Sequence, residues 1–268
     1  MASQLLIAED YEIPDASQLV TEDDTPVDNF ASEKQQRLLV GCLYSNLTDQ
    51  PFLSCANVGI YHTVGQPQIV PDVFVSFDVQ VPENWWEKQH RCYLVWNFGK
   101  PPDVVIEIVS NQVGNELTEK LQIYEHARVS YYVVYDPSHQ LGDQTLRLYE
   151  LRGRRYAELP NQWLEQIGLG LTLWQGEFEE RQDTWLRWCD RQGAVLLTGD
   201  EQADQERQRA DQAQQRADRA EQIQRRAIAQ LMTLGMDPDQ ISATLGLSPQ
   251  DVEQIASQSA ITGRDLGE

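Results

Sequence analysis

The run Val104-Val105-Ile106-Glu107-Ile108-Val109 constrains the chain more than any other segment. It is apolar at odd and even positions alike, as expected of a central strand covered on both faces. About twenty residues separate it from a second such run, Tyr131 to Asp136, and in that gap Leu117, Leu121 and Tyr124 share one helical stripe behind an Asn115 cap. Strand, crossover helix and strand in that order favour a parallel pair, so the chain reads as α/β with a central mixed sheet flanked by helices.

The remaining segments extend this outline. Leu39, Cys42, Leu43 and Leu47 recur at helical spacing behind Ser32, which reads as the cap of a first helix. Val58 to Val64, Ile69 to Phe77, Thr145 to Leu151 and Arg155 to Leu159 are rich in β-branched and aromatic residues, with turn residues between them. Residues 142–160 read as a hairpin at the sheet edge. Residues 161–200 hold four of the seven tryptophans and a strand-like Leu169 to Trp174, and are expected to wrap the core. The polar segment around Trp85-Trp86 is left open between a loop resting on the sheet and one touching substrate. Beyond Gly199 the composition turns to Ala, Gln, Arg and Glu. There Ala203, Ala210, Ala217 and Leu231 form one heptad row and Ala213, Ala220, Ala227 and Leu234 the other, a weak, mostly alanine coiled-coil seam interrupted by Gln224. It reads as self-association, with a homodimer expected, or packing on a partner helix, the alternative being a single solvated helix. The expected organisation is an acidic lead at 1–30, the α/β domain at 31–200, this helix at 201–234 and an acidic tail with short helices at 235–268. Around Gly246 the tail has a helix-turn-helix outline, against whose contact with DNA its acidity speaks.

Charge narrows the functional classes. The net charge of −21 argues against a protein that coats nucleic acid nonspecifically, since such binding needs Lys and Arg to neutralise phosphates. The acids are concentrated at the ends: residues 1–30 carry eight and no base, and residues 31–200 are left with −8. Basic surface is expected only locally, around Arg147, Arg152, Arg154 and Arg155. No stretch approaches the ~18 apolar residues of a spanning helix and no leader is visible, so a cytoplasmic location is expected and a membrane one is not. Cys42, Cys55, Cys92 and Cys189 are widely spaced in apolar surroundings and read as reduced core residues.

Two apolar strands each carry one carboxylate: Asp72 in Pro71-Asp72-Val73-Phe74-Val75, and Glu107. An ionised carboxylate in such a place has to be paired, protonated or bound to a cation. Two on neighbouring strands repel one another unless a divalent metal lies between them, and hard oxygen ligands suit Mg²⁺ or Mn²⁺. The alternative leaves Asp72 at a strand end, satisfied by backbone amides, and Glu107 at an edge. Lys120, thirteen residues after Glu107 on the crossover helix, can reach back to the same place. Its alternative role is a surface pair with Glu116.

Four blocks together resemble the Uma-type family of restriction-endonuclease-like proteins, within the PD-(D/E)XK nuclease superfamily: Pro71-Asp72-Val73, Pro102 to Ser110, Lys120-Leu121-Gln122-Ile123-Tyr124 and Val129 to Pro137. The resemblance covers roughly residues 30–200. It implies a restriction-endonuclease-like fold, with Asp72 and Glu107 as the paired acids on a divalent metal. Superfamily members usually place a lysine two residues after the acid. Here that position is Val109, and Lys120 resembles the lysine migrated to the next helix. Glu33 matches the place from which related nucleases sometimes add a third acid to the metal. The activity implied is metal-dependent hydrolysis of phosphodiester bonds in DNA. The rival is a catalytically silent scaffold whose C-terminal helix is the working part. Asp136, in its Asp-Pro strand ending, is expected to be structural.

Overall fold

A computed structural model of the chain describes residues 29–110 and 115–262, so all but the last two residues of the acidic lead lie outside the described residues. Asn29 starts the fold. Its side-chain carbonyl accepts from the backbone amides of Ala31 and Ser32, both at 3.0 Å, and caps helix α1 (Phe30–Asn46). The helix therefore begins before the expected Ser32 cap, because an acceptor at Asn29 satisfies two amides that have no partner inside the helix. Ser32 is buried instead.

Five strands and a short helix follow: β1 (Phe52–Ala56), β2 (Ile60–Tyr61), β3 (Val73–Phe77), β4 (Tyr93–Leu94), helix α2 (Val95–Phe98) and β5 (Val104–Ile108). After them come α3 (Glu119–His126), β6 (Tyr131–Tyr135), β7 (Leu146–Arg152), β8 (Arg155–Glu158), β9 (Trp163–Leu164), β10 (Leu169–Phe178) and β11 (Arg181–Cys189). Six strands form the central sheet in the order β1-β3-β5-β6-β7-β8. Strands β5 and β6 are parallel and joined through α3, whereas the other neighbours are antiparallel, so the sheet is mixed.

Both faces of the sheet are covered. On one, Leu39 and Leu43 of α1 and Leu171, Leu186 and Trp188 of the β10–β11 hairpin pack on Val73, Val104, Ile106 and Val133. On the other, Tyr124 of α3 and Tyr93 pack on Phe74, Val105, Tyr132 and Val134. Residues 161–200 do more than wrap this core: β9, β10 and β11 make a second, antiparallel sheet. Strand β10 runs four residues past the expected end at Trp174. The hairpin at the edge of the large sheet forms as β7 and β8, turning at Gly153 with φ +65°, a region glycine enters without penalty.

The described residues divide into two compact units between Gly199 and Asp200. In the second, the end of α4 (Gly199–Thr233) packs on α5 (Pro238–Leu245) and α6 (Pro249–Thr262) through Ile228, Ile241 and Val252, all buried. A capping box at Asp237 and Gln240 starts α5, and Gly246 ends it with φ +67°. Among the described residues no helix is long and apolar enough to cross a membrane.

Replacing Asn29 with Ala removes the cap that both leading amides of α1 share. We expect a loss of about 1 kcal/mol of stability, read as a lower urea midpoint with an unchanged slope.

Candidate active site

The pairing of Val73 with Ile106 across β3 and β5 puts Asp72 opposite Glu107 in the same register. Directly opposed residues of an antiparallel pair share a face, so the two carboxylates project to the side on which α3 lies. Glu107 is only 1% exposed. Both of its oxygens are used: Lys120 Nζ donates to Oε2 at 2.8 Å, and the Tyr124 hydroxyl donates to Oε1 at 2.6 Å. Lys120 and Tyr124 are four residues apart on α3, which places both donors above the one carboxylate.

Asp72 is held from two sides. Its Oδ2 accepts from the backbone amide of Ile108 at 2.6 Å, and its Oδ1 accepts from Gln36 Nε2 at 3.2 Å. The amide of Gln36 is itself oriented, since Asn57 Nδ2 donates to its Oε1 at 3.0 Å. Asp72 thus sits at a strand end held by a backbone amide and still faces Glu107 across the strand pair. Lys120 also combines its two alternatives, with Glu116 Oε1 lying 3.4 Å from the ammonium that pairs with Glu107.

The electrostatics follow from burial. Removal from water pushes the Glu107 carboxyl up to about 7, and the neighbouring Asp72 carboxylate adds to that rise against the opposing pull of Lys120 and Tyr124. Desolvation pulls the Lys120 ammonium down, but Glu107, Glu116 and Asp72 together outweigh it and hold it above the ordinary lysine value. Burial and the Glu107 charge also keep the Tyr124 hydroxyl protonated, far above the usual range for a phenol.

One expectation needs correction. Glu33 does not join the acids: among the described residues no three of His, Cys, Asp and Glu are grouped to hold a metal ion. Its side chain is half exposed and pairs with Arg37 at 3.2 Å, on the side of α1 where Arg37 and Lys34 also bind Glu179 at 2.6 Å. The residue that α1 does bring to the site is Gln36, which is neutral and so carried no charge signature in the sequence. Its signal was two adjacent glutamines, Gln35 and Gln36, on the buried side of α1. Of the arginines expected to give local basic surface, Arg152, Arg154 and Arg155 are exposed at the β7–β8 turn. Arg147 is buried and donates to the carbonyls of Gln144 and Leu141, while Arg152 pairs with Glu150 and Arg155 with Glu125. Asp136 has the expected structural role, its buried carboxylate accepting from the amides of Gln140 and Leu141.

A cavity of about 640 Å³ lies under Trp85 and Trp86, and one of about 530 Å³ beside Ile108, Val109 and Ser110. Neither is lined by Asp72, Glu107 or Lys120, so the acid pair sits apart from both hollows.

Comparison with known proteins adds two findings. A family model, Uma2, described as "Putative restriction endonuclease", matches residues 11–175. Among solved structures, the crystal structure of "a putative nuclease belonging to DUF820" from Anabaena variabilis ATCC 29413 is similar, with 16% identity and a TM-score of 0.37 over 51% of this chain and 71% of that one. No curated protein matches.

The raised Glu107 carboxyl has a sign that stability measurements can read. In chelator, the protonated carboxyl favours the fold fully below the ordinary glutamate value, and that contribution is lost as pH rises through about 7. The stability of Glu107→Gln relative to the native chain should therefore increase between pH 5 and 8. The expected gain is on the order of 3 kcal/mol, since each tenfold change in proton affinity is worth ~1.4 kcal/mol. Urea titrations of both proteins at each pH check this.

Proposed function

The chain belongs to the Uma2 family, and on that footing we propose that it is a metal-dependent DNA endonuclease that hydrolyses phosphodiester bonds at Asp72, Glu107 and Lys120. One observation carries the proposal above the others: the Lys120 ammonium lies 2.8 Å from a fully buried carboxylate that faces a second acid across the strand pair.

The donor set fits a hard divalent cation. Two opposed carboxylates, one of them driven towards neutrality by burial and by the other, gain most from a cation placed between them. Mg²⁺ commonly takes one or two protein carboxylates and completes its shell with water and phosphate oxygens, so the pair suffices without Glu33. Asp72 and Glu107 would hold Mg²⁺ or Mn²⁺, which when bound supplies a polarised phosphate and a water of lowered pKa.

The chain's own residues account for the rest. Gln36 and the Ile108 amide fix the plane of the Asp72 carboxylate, and Tyr124 fixes that of Glu107, so the acids are oriented before substrate arrives. Lys120, about a third exposed, keeps an ammonium at the edge of the buried pair, where it can neutralise charge developing on a phosphate oxygen. Glu107, Glu116 and Asp72 hold the ammonium above the ordinary lysine value, which suits it to electrostatic stabilisation and not to the role of a base.

Self-association through α4 belongs to the same proposal. Residues 203–223 of that helix are exposed along their whole length, including the alanine rows, and burial begins only where Ile228 meets α5 and α6.

Purified protein incubated with plasmid and Mg²⁺ or Mn²⁺ should nick or linearise it, and Glu107→Ala should abolish cutting. Lys120→Ala should lower kcat by roughly 10²–10³-fold, as for loss of one donor to a developing anion. Cutting that persists in chelator or in Glu107→Ala would refute the assignment. Truncation after Gly199 should lower the mass found by light scattering from dimer to monomer, and an unchanged mass would remove α4 from the interface.

A further inference from the structure

Glu116 lies outside the blocks that define the cluster, yet it is the least satisfied acceptor near it. The residue is 5% exposed, and its Oε2 has no hydrogen-bond partner among the described residues. A buried carboxylate oxygen left unsatisfied is costly and calls for a reason. The backbone here is well fixed: the Tyr132 hydroxyl donates to the Glu116 carbonyl at 2.9 Å, and the amide of Lys120 closes the turn on the carbonyl of Asn115 at 3.0 Å. The backbone of Glu116 is thus tied to β6 of the central sheet, four residues before Lys120.

The ammonium of Lys120 has three protons and two carboxylates within reach. It favours Glu107 Oε2 at 2.8 Å over Glu116 Oε1 at 3.4 Å. That preference has to change when a divalent cation engages Glu107, because two positive groups then compete for one carboxylate. Without a second anchor the ammonium, already partly exposed, would swing towards solvent and away from the phosphate. Glu116, with one oxygen at long range and the other without a hydrogen-bond partner among the described residues, has the capacity to take it.

We propose that Glu116 is the positioning residue for Lys120, holding its ammonium beside the acid pair once a cation occupies Glu107. The inference rests on the metal-dependent reading above. It gives the unsatisfied oxygen a purpose: the contact is long in the cation-free protein and shortens when Glu107 is withdrawn.

With only four lysines in the chain, Lys120 can be followed by its side-chain ¹⁵N ammonium resonance at low temperature, identified by its absence in Lys120→Met. In the full-length native protein this slowly exchanging signal should be present without metal and persist at saturating Mg²⁺. In Glu116→Gln it should be present without metal and vanish on adding Mg²⁺. Steady-state cleavage should show kcat lowered about 10–100-fold in Glu116→Gln, typical of loss of an orienting partner. KM for DNA should be unchanged, and Glu116→Asp should recover much of the rate even if the Gln variant folds poorly. Survival of the signal in Mg²⁺-saturated Glu116→Gln, or its loss in the Mg²⁺-saturated native protein, would overturn the inference while leaving the metal site standing. If Mg²⁺ moves neither this signal nor the Ile108 amide beside Asp72, the metal site and the inference fall together.

Discussion

A carboxylate buried in the central strand of the sheet is the constraint from which the rest of the site follows. Glu107 occupies a position where every neighbour along β5 is apolar and buried. A charge there is tolerable only with donors on both oxygens, and the crossover helix supplies them as Lys120 and Tyr124, one turn apart. The helix can do so because β5 and β6 are parallel, which forces the intervening chain to cross back over the face that Glu107 points to. Topology and chemistry are therefore coupled: an antiparallel β5–β6 pair joined by a hairpin would leave the acid without a cation.

The same geometry accounts for where the lysine resides. Val109, two residues after Glu107, is 1% exposed and packed in the layer with Tyr124, Tyr132 and Val134. An ammonium at that point would have its stem enclosed among aromatic and aliphatic groups. Placed on α3 at residue 120, it reaches the identical carboxylate with its stem along the sheet and its head at the surface. The tyrosines of this layer do double duty, filling volume while their hydroxyls hold Glu107 and the Glu116 carbonyl.

Much of this was legible in the sequence because the signals were periodic or chemically anomalous. The β5–α3–β6 unit announced itself through an apolar run with one acid, a helical stripe and a second apolar run. Asp72 and Glu107 stood out as charges in apolar strands, and Lys120 as one of four lysines, placed where the crossover helix can aim it back at Glu107; the structure brings all three together. What was missed lacked such contrast. Strand β1, Phe52-Leu53-Ser54-Cys55-Ala56, mixes small and polar residues because it is an edge strand with half-buried side chains. Strand β11 opens with Arg181, Gln182 and Asp183, which are exposed where the β10–β11 hairpin projects from the core, so only its second half looks like a strand. Gln36 was invisible as a site residue because an amide carries no charge, whereas Glu33 drew attention for a charge that the helix spends on Arg37. Tyr124 was visible as an apolar contact, but not as a donor, since its hydroxyl acquires that role only from the position of Glu107.

The most direct measurement is anomalous diffraction from crystals of the full-length protein soaked in Mn²⁺. A single anomalous peak bridging Asp72 and Glu107, within coordination distance of an oxygen from each, is the expected result. Crystals that show ordered Asp72 and Glu107 side chains with no Mn²⁺ between them, at concentrations that saturate ordinary carboxylate sites, would contradict the assignment and leave the fold without its proposed chemistry.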